Sequence, residues 1–183
     1  LIERGFLQLL KYHVNDIDKI SRHILWLTDR IPERLQEYCL ELANIGKSNN
    51  LISPHMLDEA DMKWLKNSLR HCYNAIQSIM NSVETKVGRR NQSLYAIGQI
   101  ENSEIRISEV ETFIRSTFPN SVANKTLNVS ATLSELANVE FNILKRTTKG
   151  DAYILTDPKL KMCLRAMLYV EEETIKKRDI SDI

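Results

Sequence analysis

An all-α fold is what this 183-residue sequence predicts: an antiparallel bundle of about five to six helices, compact or elongated, with coiled-coil-like seams. Three observations carry that expectation. First, Phe6, Leu10, His13, Ile17, Ile20, Ile24, Leu27 and Ile31 follow one another by alternating steps of four and three. The rhythm resumes at Leu35, Tyr38, Leu42 and Ile45, after one extra step of four. Such spacing keeps one helix face against a neighbouring helix. Second, Met62, Leu65, Leu69, Cys72, Ile76, Ile79 and Val83 repeat the same step without error. Third, only five glycines, four prolines and 7% aromatic residues are few for a strand-rich fold, which needs more turn residues and more aromatic runs.

The elements follow in chain order. A first helix is expected from about Ile2 to Asp29, and Pro32 interrupts it. Proline suits the first turn of a new helix, so Arg30 to Pro32 is either a kink, as a stutter in the repeat would give, or a tight corner. The second helix runs to Ile45 and ends on Gly46 as a left-handed cap. Gly46 to Asn50 reads as a loop, and Ser53-Pro54 opens a third helix that carries the second seam to a stop at Gly88. A weaker fourth helix spans about Leu94 to Thr117, diluted by Gly98 and the Glu101 to Glu104 segment, and Pro119 ends it. A fifth spans about Ser121 to Thr147, closed by Gly150-Asp151, with Ala152 to Leu155 a short extended piece. Asp157-Pro158 caps a final helix to about Arg178, whose Lys176, Lys177 and Arg178 complement the helix dipole. Length and patterning together imply one helical-bundle domain over residues 1–183. The leading residue is Leu rather than Met, as expected of a fragment of a longer protein.

Composition narrows the function classes. Twenty-five basic and twenty-four acidic side chains give a net charge of +1, without the basic excess of a dedicated nucleic-acid or anionic-membrane surface. No apolar run approaches the ~20 residues needed to span a bilayer, and no signal peptide opens the chain. Cys39, Cys72 and Cys163 are odd in number and widely spaced, which predicts reduced thiols and a cytosolic or nuclear setting. The N-x-S/T sequons at Asn91, Asn124 and Asn128 are near the number expected by chance.

Few residues point to chemistry. His13 falls inside the first seam, where a single polar side chain fixes register more often than it binds metal, and no His-x-x-x-His or Glu-x-x-His pair accompanies it. His71 adjoins Cys72, but neighbours on a helix point apart. The acids Asp58, Glu59 and Asp61 fall in the first turns of a helix, and Glu171, Glu172 and Glu173 precede a basic run; both read as solvated faces. Gly46-Lys47-Ser48 lacks the first glycine and the preceding strand of a phosphate loop. No catalytic residue, cofactor or metal site is therefore assigned.

The leading expectation is a non-enzymatic helical module for protein–protein interaction or self-association, a scaffold in which Tyr12, Trp26, Trp64 and Tyr73, beside the stripes, serve as partner contacts. The alternative is a nucleic-acid-binding helical protein, nucleocapsid-like or regulatory. It would use basic helix ends: Lys86, Arg89 and Arg90 at one loop, Lys145, Arg146 and Lys149 at another. A ligand-sensing bundle or an enzyme, centred on His13 or His23, comes third.

Overall fold

The structure, a computed structural model, describes residues 1–81 and 89–181. Val83, Lys86 and Gly88, with the expected helix stop, lie outside the described residues. The chain is mostly helical, as expected, but the helices are shorter than a long-helix bundle requires and small sheets accompany them. The longest helix among the described residues, α2, has 15 residues. No helix among them is long and apolar enough to cross a membrane. The chain divides into two compact units, Leu1–Arg70 with the residues from Asp179 onward, and His71–Arg178.

In the first unit the opening stripe is cut before Ile17. Arg4–Leu9 forms a single π-type turn, with Leu10 N–H bonded to Gly5 C=O at 3.0 Å. Lys11 and Asp16 adopt positive φ (55° and 53°), and between them His13–Val14 forms strand β1. β1 pairs in parallel with β2, Leu51–Ile52. His13 is accordingly exposed on a strand rather than set in a helical seam. Asp16, left-handed, caps α1 (Ile17–Leu27) by accepting from Lys19 N–H at 3.1 Å. From Ile20 to Leu42 the stripe holds: Ile20, Ile24, Leu27, Leu35, Tyr38 and Leu42 are all buried.

Asp29 and Arg30 take positive φ (50° and 59°), so the chain turns a tight corner into α2 (Pro32–Gly46), with Pro32 at its first position. Gly46 ends α2 in place, but not as a left-handed cap. Glycine is needed there for room, because a Cβ would come within 2.3 Å of Leu51 C=O. After one 3-10 turn, Pro54–Met56, helix α3 (Leu57–Ser68) packs on α2. α3 stops at Leu69, whose φ of −118° and ψ of 10° leave the helical region. The second seam is thereby divided. Met62, Leu65 and Leu69 belong to the first unit; Cys72 and the rest that is described lie on α4 (Arg70–Ile79) in the second.

The second unit is built around α5 (Arg90–Gln99) and α9 (Pro158–Met167). α5 is buried on all sides, polar Asn91, Gln92 and Ser93 included, so its weak amphipathic pattern reflects a central position. Asn91, whose side chain bonds both backbone groups of Asn81, is closed to glycosylation. Gly98 permits the crossing, since a Cβ there would sit 3.0 Å from Leu164 Cβ. Two buried cations of α9 serve carbonyls at the α5 C-terminal end: Arg165 Nε donates to Gly98 C=O at 2.7 Å and Lys161 Nζ to Glu101 C=O at 2.8 Å.

The expected fourth and fifth helices are broken up. α6 (Ile107–Thr117) restarts after an extended Ile105, which bridges Tyr153. α7 (Pro119–Val122) and α8 (Val129–Leu136) are short, and β3 (Leu144–Arg146) pairs with β4 (Tyr153–Leu155). Gly150, φ +75°, belongs to the turn of that hairpin and not to a helix end.

Asp157 and Pro158 start α9 as expected, Asp157 accepting from Lys159 N–H at 2.8 Å, but α9 ends at Met167 and not at Arg178. Leu168–Glu171 and Thr174–Lys177 form the hairpin β5–β6, where β-branched and aromatic residues favour strand. Glu172 and Glu173, both at positive φ, make its two-residue turn. The acids are therefore turn residues and not a helix face. Glu173 accepts from Ser121 N–H (2.8 Å), Asn120 N–H (3.3 Å) and Asn120 Nδ2 (2.6 Å) at the start of α7. Desolvation raises its carboxyl, but these hydrogen bonds outweigh it and hold Glu173 below the ordinary glutamate value. A lowered folded-state value stabilises above the ordinary range, and the gain is lost as pH falls through the folded value. Glu173→Gln should thus lower thermal stability slightly near neutrality, and the difference should vanish as pH falls below the ordinary glutamate range, read by circular dichroism melts.

Candidate functional site

An open apolar groove lies in the first unit, where the π turn meets α2. Ile2 and Phe6 point inward and are buried. In an α-helix Leu9 and Leu10 would flank Phe6 on the same inner face. The wider π turn leaves them outside: Leu9 is 70% and Leu10 51% exposed, with Leu1 at 73% and Leu40 of α2 at 62%. Between them runs a groove of about 640 Å3, floored by Ile2, Phe6 and Ala43. Arg4 and Gln36 are its polar lining residues, and Arg4 has no ion-pair partner among the described residues. Cys39 also lines it. Burial pushes that thiol up to about 12, so it is a neutral apolar group at physiological pH and not a nucleophile.

Cys72 and Cys163 are free as well, and burial raises both thiols. Among the described residues no group of three or more His, Cys, Asp or Glu side chains is placed to hold a metal ion.

A second constellation is His23, Tyr38 and Asp61, one from each of α1, α2 and α3. Asp61 Oδ1 lies 2.8 Å from His23 Nε2 and accepts from Tyr38 OH at 2.6 Å. Tyr38 stands edge-on to the buried Trp64, ring centroids 5.4 Å apart. A His–Asp pair could orient an imidazole for base catalysis, but among the described residues no Ser, Thr or Cys hydroxyl or thiol is bonded to this one. Its geometry is that of a tie holding three helices together.

The expected partner contacts scatter. Trp64 and Tyr73 are buried, at 0% and 3% exposure, and fill the interiors of the first and second units respectively. Trp26 is half-buried beside His23. Tyr12, half-buried, donates to Ala43 C=O at 2.9 Å and so joins the chain next to the π turn to α2 beneath the groove.

The basic residues divide similarly. Arg89 is buried and donates to Gln92 Oε1 and Ser121 C=O. Arg90 pairs with Glu135, donates to Ile79 C=O and stacks on Phe141. Both are occupied in holding the second unit together. Lys145 and Arg146 line an open cleft, and Lys149 is exposed in the β3–β4 turn. The aromatic and basic criteria thus miss the groove residues. The signal for two of them was present as leucines off the stripe: Leu9 and Leu40 are large aliphatic side chains for which a single seam has no place.

The chain matches no protein-family model, and neither a curated protein nor a solved structure matches it.

Proposed function

We propose that this chain is a non-enzymatic module for protein–protein contact, and that its contact surface is the leucine-lined groove of the first unit. The carrying observation is the exposure of Leu1, Leu9, Leu10 and Leu40 around one concavity. Contiguous apolar surface with a polar edge is characteristic of interaction sites. The occupant is an amphipathic helix of another protein, its aliphatic side chains one and two turns apart in the groove and a carboxylate meeting Arg4. That assignment rests on charge: Arg4, a cation without an ion-pair partner among the described residues, stands at the edge of an otherwise apolar trough. A cytosolic or nuclear setting, in which the three thiols stay reduced, fits this reading.

The test uses a synthetic amphipathic helix with leucines at i, i+3 and i+7 and a glutamate beside the first. It should bind the full chain; Leu40→Asp should weaken binding at least tenfold, and Arg4→Gln should erase the preference for glutamate over glutamine in the peptide. Equal binding to wild type and Leu40→Asp, measured by fluorescence anisotropy, overturns the proposal. So does a wild-type dimer in light scattering that Leu40→Asp dissociates, which would give the groove to a second copy.

A further inference from the structure

Strand β3, in the second unit, has an open edge, and its ladder with β4 fixes which backbone groups face outward. In an antiparallel pair, residues that exchange both backbone hydrogen bonds alternate with residues whose N–H and C=O point away from the partner strand. Thr147 N–H donates to Ala152 C=O and Thr156 N–H to Ile143 C=O, each at 3.0 Å. Tyr153 directs its N–H and C=O to Ile105, at 2.9 and 2.7 Å, on the far side of β4. Leu144 stands opposite Leu155, Lys145 opposite Ile154 and Arg146 opposite Tyr153, so the alternation makes Lys145 the bonded residue of β3. Leu144 and Arg146 therefore turn two N–H and two C=O groups outward. None of the four has a partner among the described residues.

A cleft of about 550 Å3 lies against this edge. Leu144, Lys145 and Arg146 all line it, together with Ser134 of α8 and Asn138 beyond the helix end. The side chains of three consecutive strand residues alternate between faces, so what the three share towards one cleft is the strand's edge. The Arg146 guanidinium does not cover that edge. It lies across the ladder over the Tyr153 ring of β4, 5.5 Å from the centroid, where Nε donates to Tyr153 OH at 3.2 Å and Nη2 to Ser134 Oγ at 3.0 Å.

Unpaired strand edges are templates for a further strand, and side-chain charge decides which strand is accepted. From Ile143 to Gly150 the chain carries Lys145, Arg146 and Lys149 and no acid, and no carboxylate lines the cleft. A second copy of β3 laid along the edge would set these cations against their own kind, which is destabilising. We infer that the open edge of β3 takes an extended acidic segment of another protein as an added strand. The segment bonds to the outward backbone groups of Leu144 and Arg146. Two adjacent acids in it point to opposite faces of the sheet, and so one stands beside Lys145 and the other beside Arg146. This surface reads a strand by its backbone and charge, whereas the leucine-lined groove reads an apolar helix face.

The probe is the capped hexapeptide Thr-Val-Asp-Glu-Val-Thr, added to the full chain. By NMR-detected hydrogen exchange the Arg146 amide should slow at least tenfold, whereas that of Lys145, already bonded within the ladder, should not change. Asn-Gln in place of Asp-Glu should weaken the peptide about tenfold. Methylating its two central backbone nitrogens should weaken it at least as much, since one of any two adjacent N–H groups faces β3. Lys145→Glu should lose the acidic peptide and accept Thr-Val-Lys-Lys-Val-Thr instead, an exchange that a misfolded chain could not show. An Arg146 amide that does not slow with millimolar peptide overturns the inference. So does full binding by the methylated peptide, which would leave charge attraction without an added strand. A single-stranded oligonucleotide that binds more tightly than the peptide and displaces it also overturns the inference and makes the surface a nucleic-acid interface. A wild-type dimer whose Arg146 amide is protected without peptide would give the edge to a second copy.

Discussion

Asp61→Ala should lower the stability of the first unit by about 3 kcal/mol. Asp61 is 2% exposed, and its Oδ1 receives both the Tyr38 hydroxyl and His23 Nε2. Removing the carboxylate strands two polar groups from two other helices, and a buried polar group without its partner costs about 1–3 kcal/mol. Tyr38 keeps a weaker acceptor in Leu57 C=O at 3.3 Å, which limits its share. Asp61→Asn retains a carbonyl acceptor of the same size and should cost only about 1 kcal/mol. Both tryptophans, Trp26 and Trp64, lie in the first unit, so fluorescence-monitored urea unfolding reads this unit alone. Equal stabilities of Asp61→Ala and wild type would show that the three-helix tie contributes nothing.

Gly46→Ala should be nearly as damaging, about 3 kcal/mol, although alanine is the better helix former by about 1 kcal/mol. The added Cβ would meet Leu51 C=O at 2.3 Å and the Ile52 side chain at 3.1 Å. The carbonyl cannot move aside cheaply, because Leu51 is held in the ladder with His13. Gly5→Ala gives the contrast. No atom lies within 4 Å of a Cβ at that position and its φ is not positive, so the same substitution should stabilise by about 0.5 kcal/mol. The same tryptophan signal measures both, and a neutral Gly46→Ala would mean that α2 and β2 can separate without cost.

These residues also show how much of the fold was legible. The 3-4 periodicity located helical material correctly and gave the inner face of α1 and α2, because Ile20 to Leu42 repeats over two full helices. It failed where backbone conformation decides and side-chain hydrophobicity does not. Leu10 and His13 keep the rhythm, yet positive φ at Lys11 and Asp16 ends the helix between them. Met62 to Ile79 keeps it across the break at Leu69, because side-chain spacing does not register the backbone angles that end α3 there. The expected fourth helix began only at about Leu94 and missed the first turn of α5, because its buried Asn91 and Gln92 are satisfied by specific hydrogen bonds, which periodicity does not register. The candidate sites were half visible. Lys145 and Arg146 were picked out by charge, whereas the groove depends on a π turn that no residue pattern announced.

The pairing of β1 with β2 has a consequence for the order in which the first unit can assemble. The strands are parallel, so hairpin closure is not open to them; the chain must travel through α1, the corner at Asp29–Arg30 and α2 before Leu51 can lie beside His13. Closing so long a loop costs about 3 kcal/mol of chain entropy, against which two residue pairs return little. The ladder is therefore a late event, formed once the helical pair has brought its ends together.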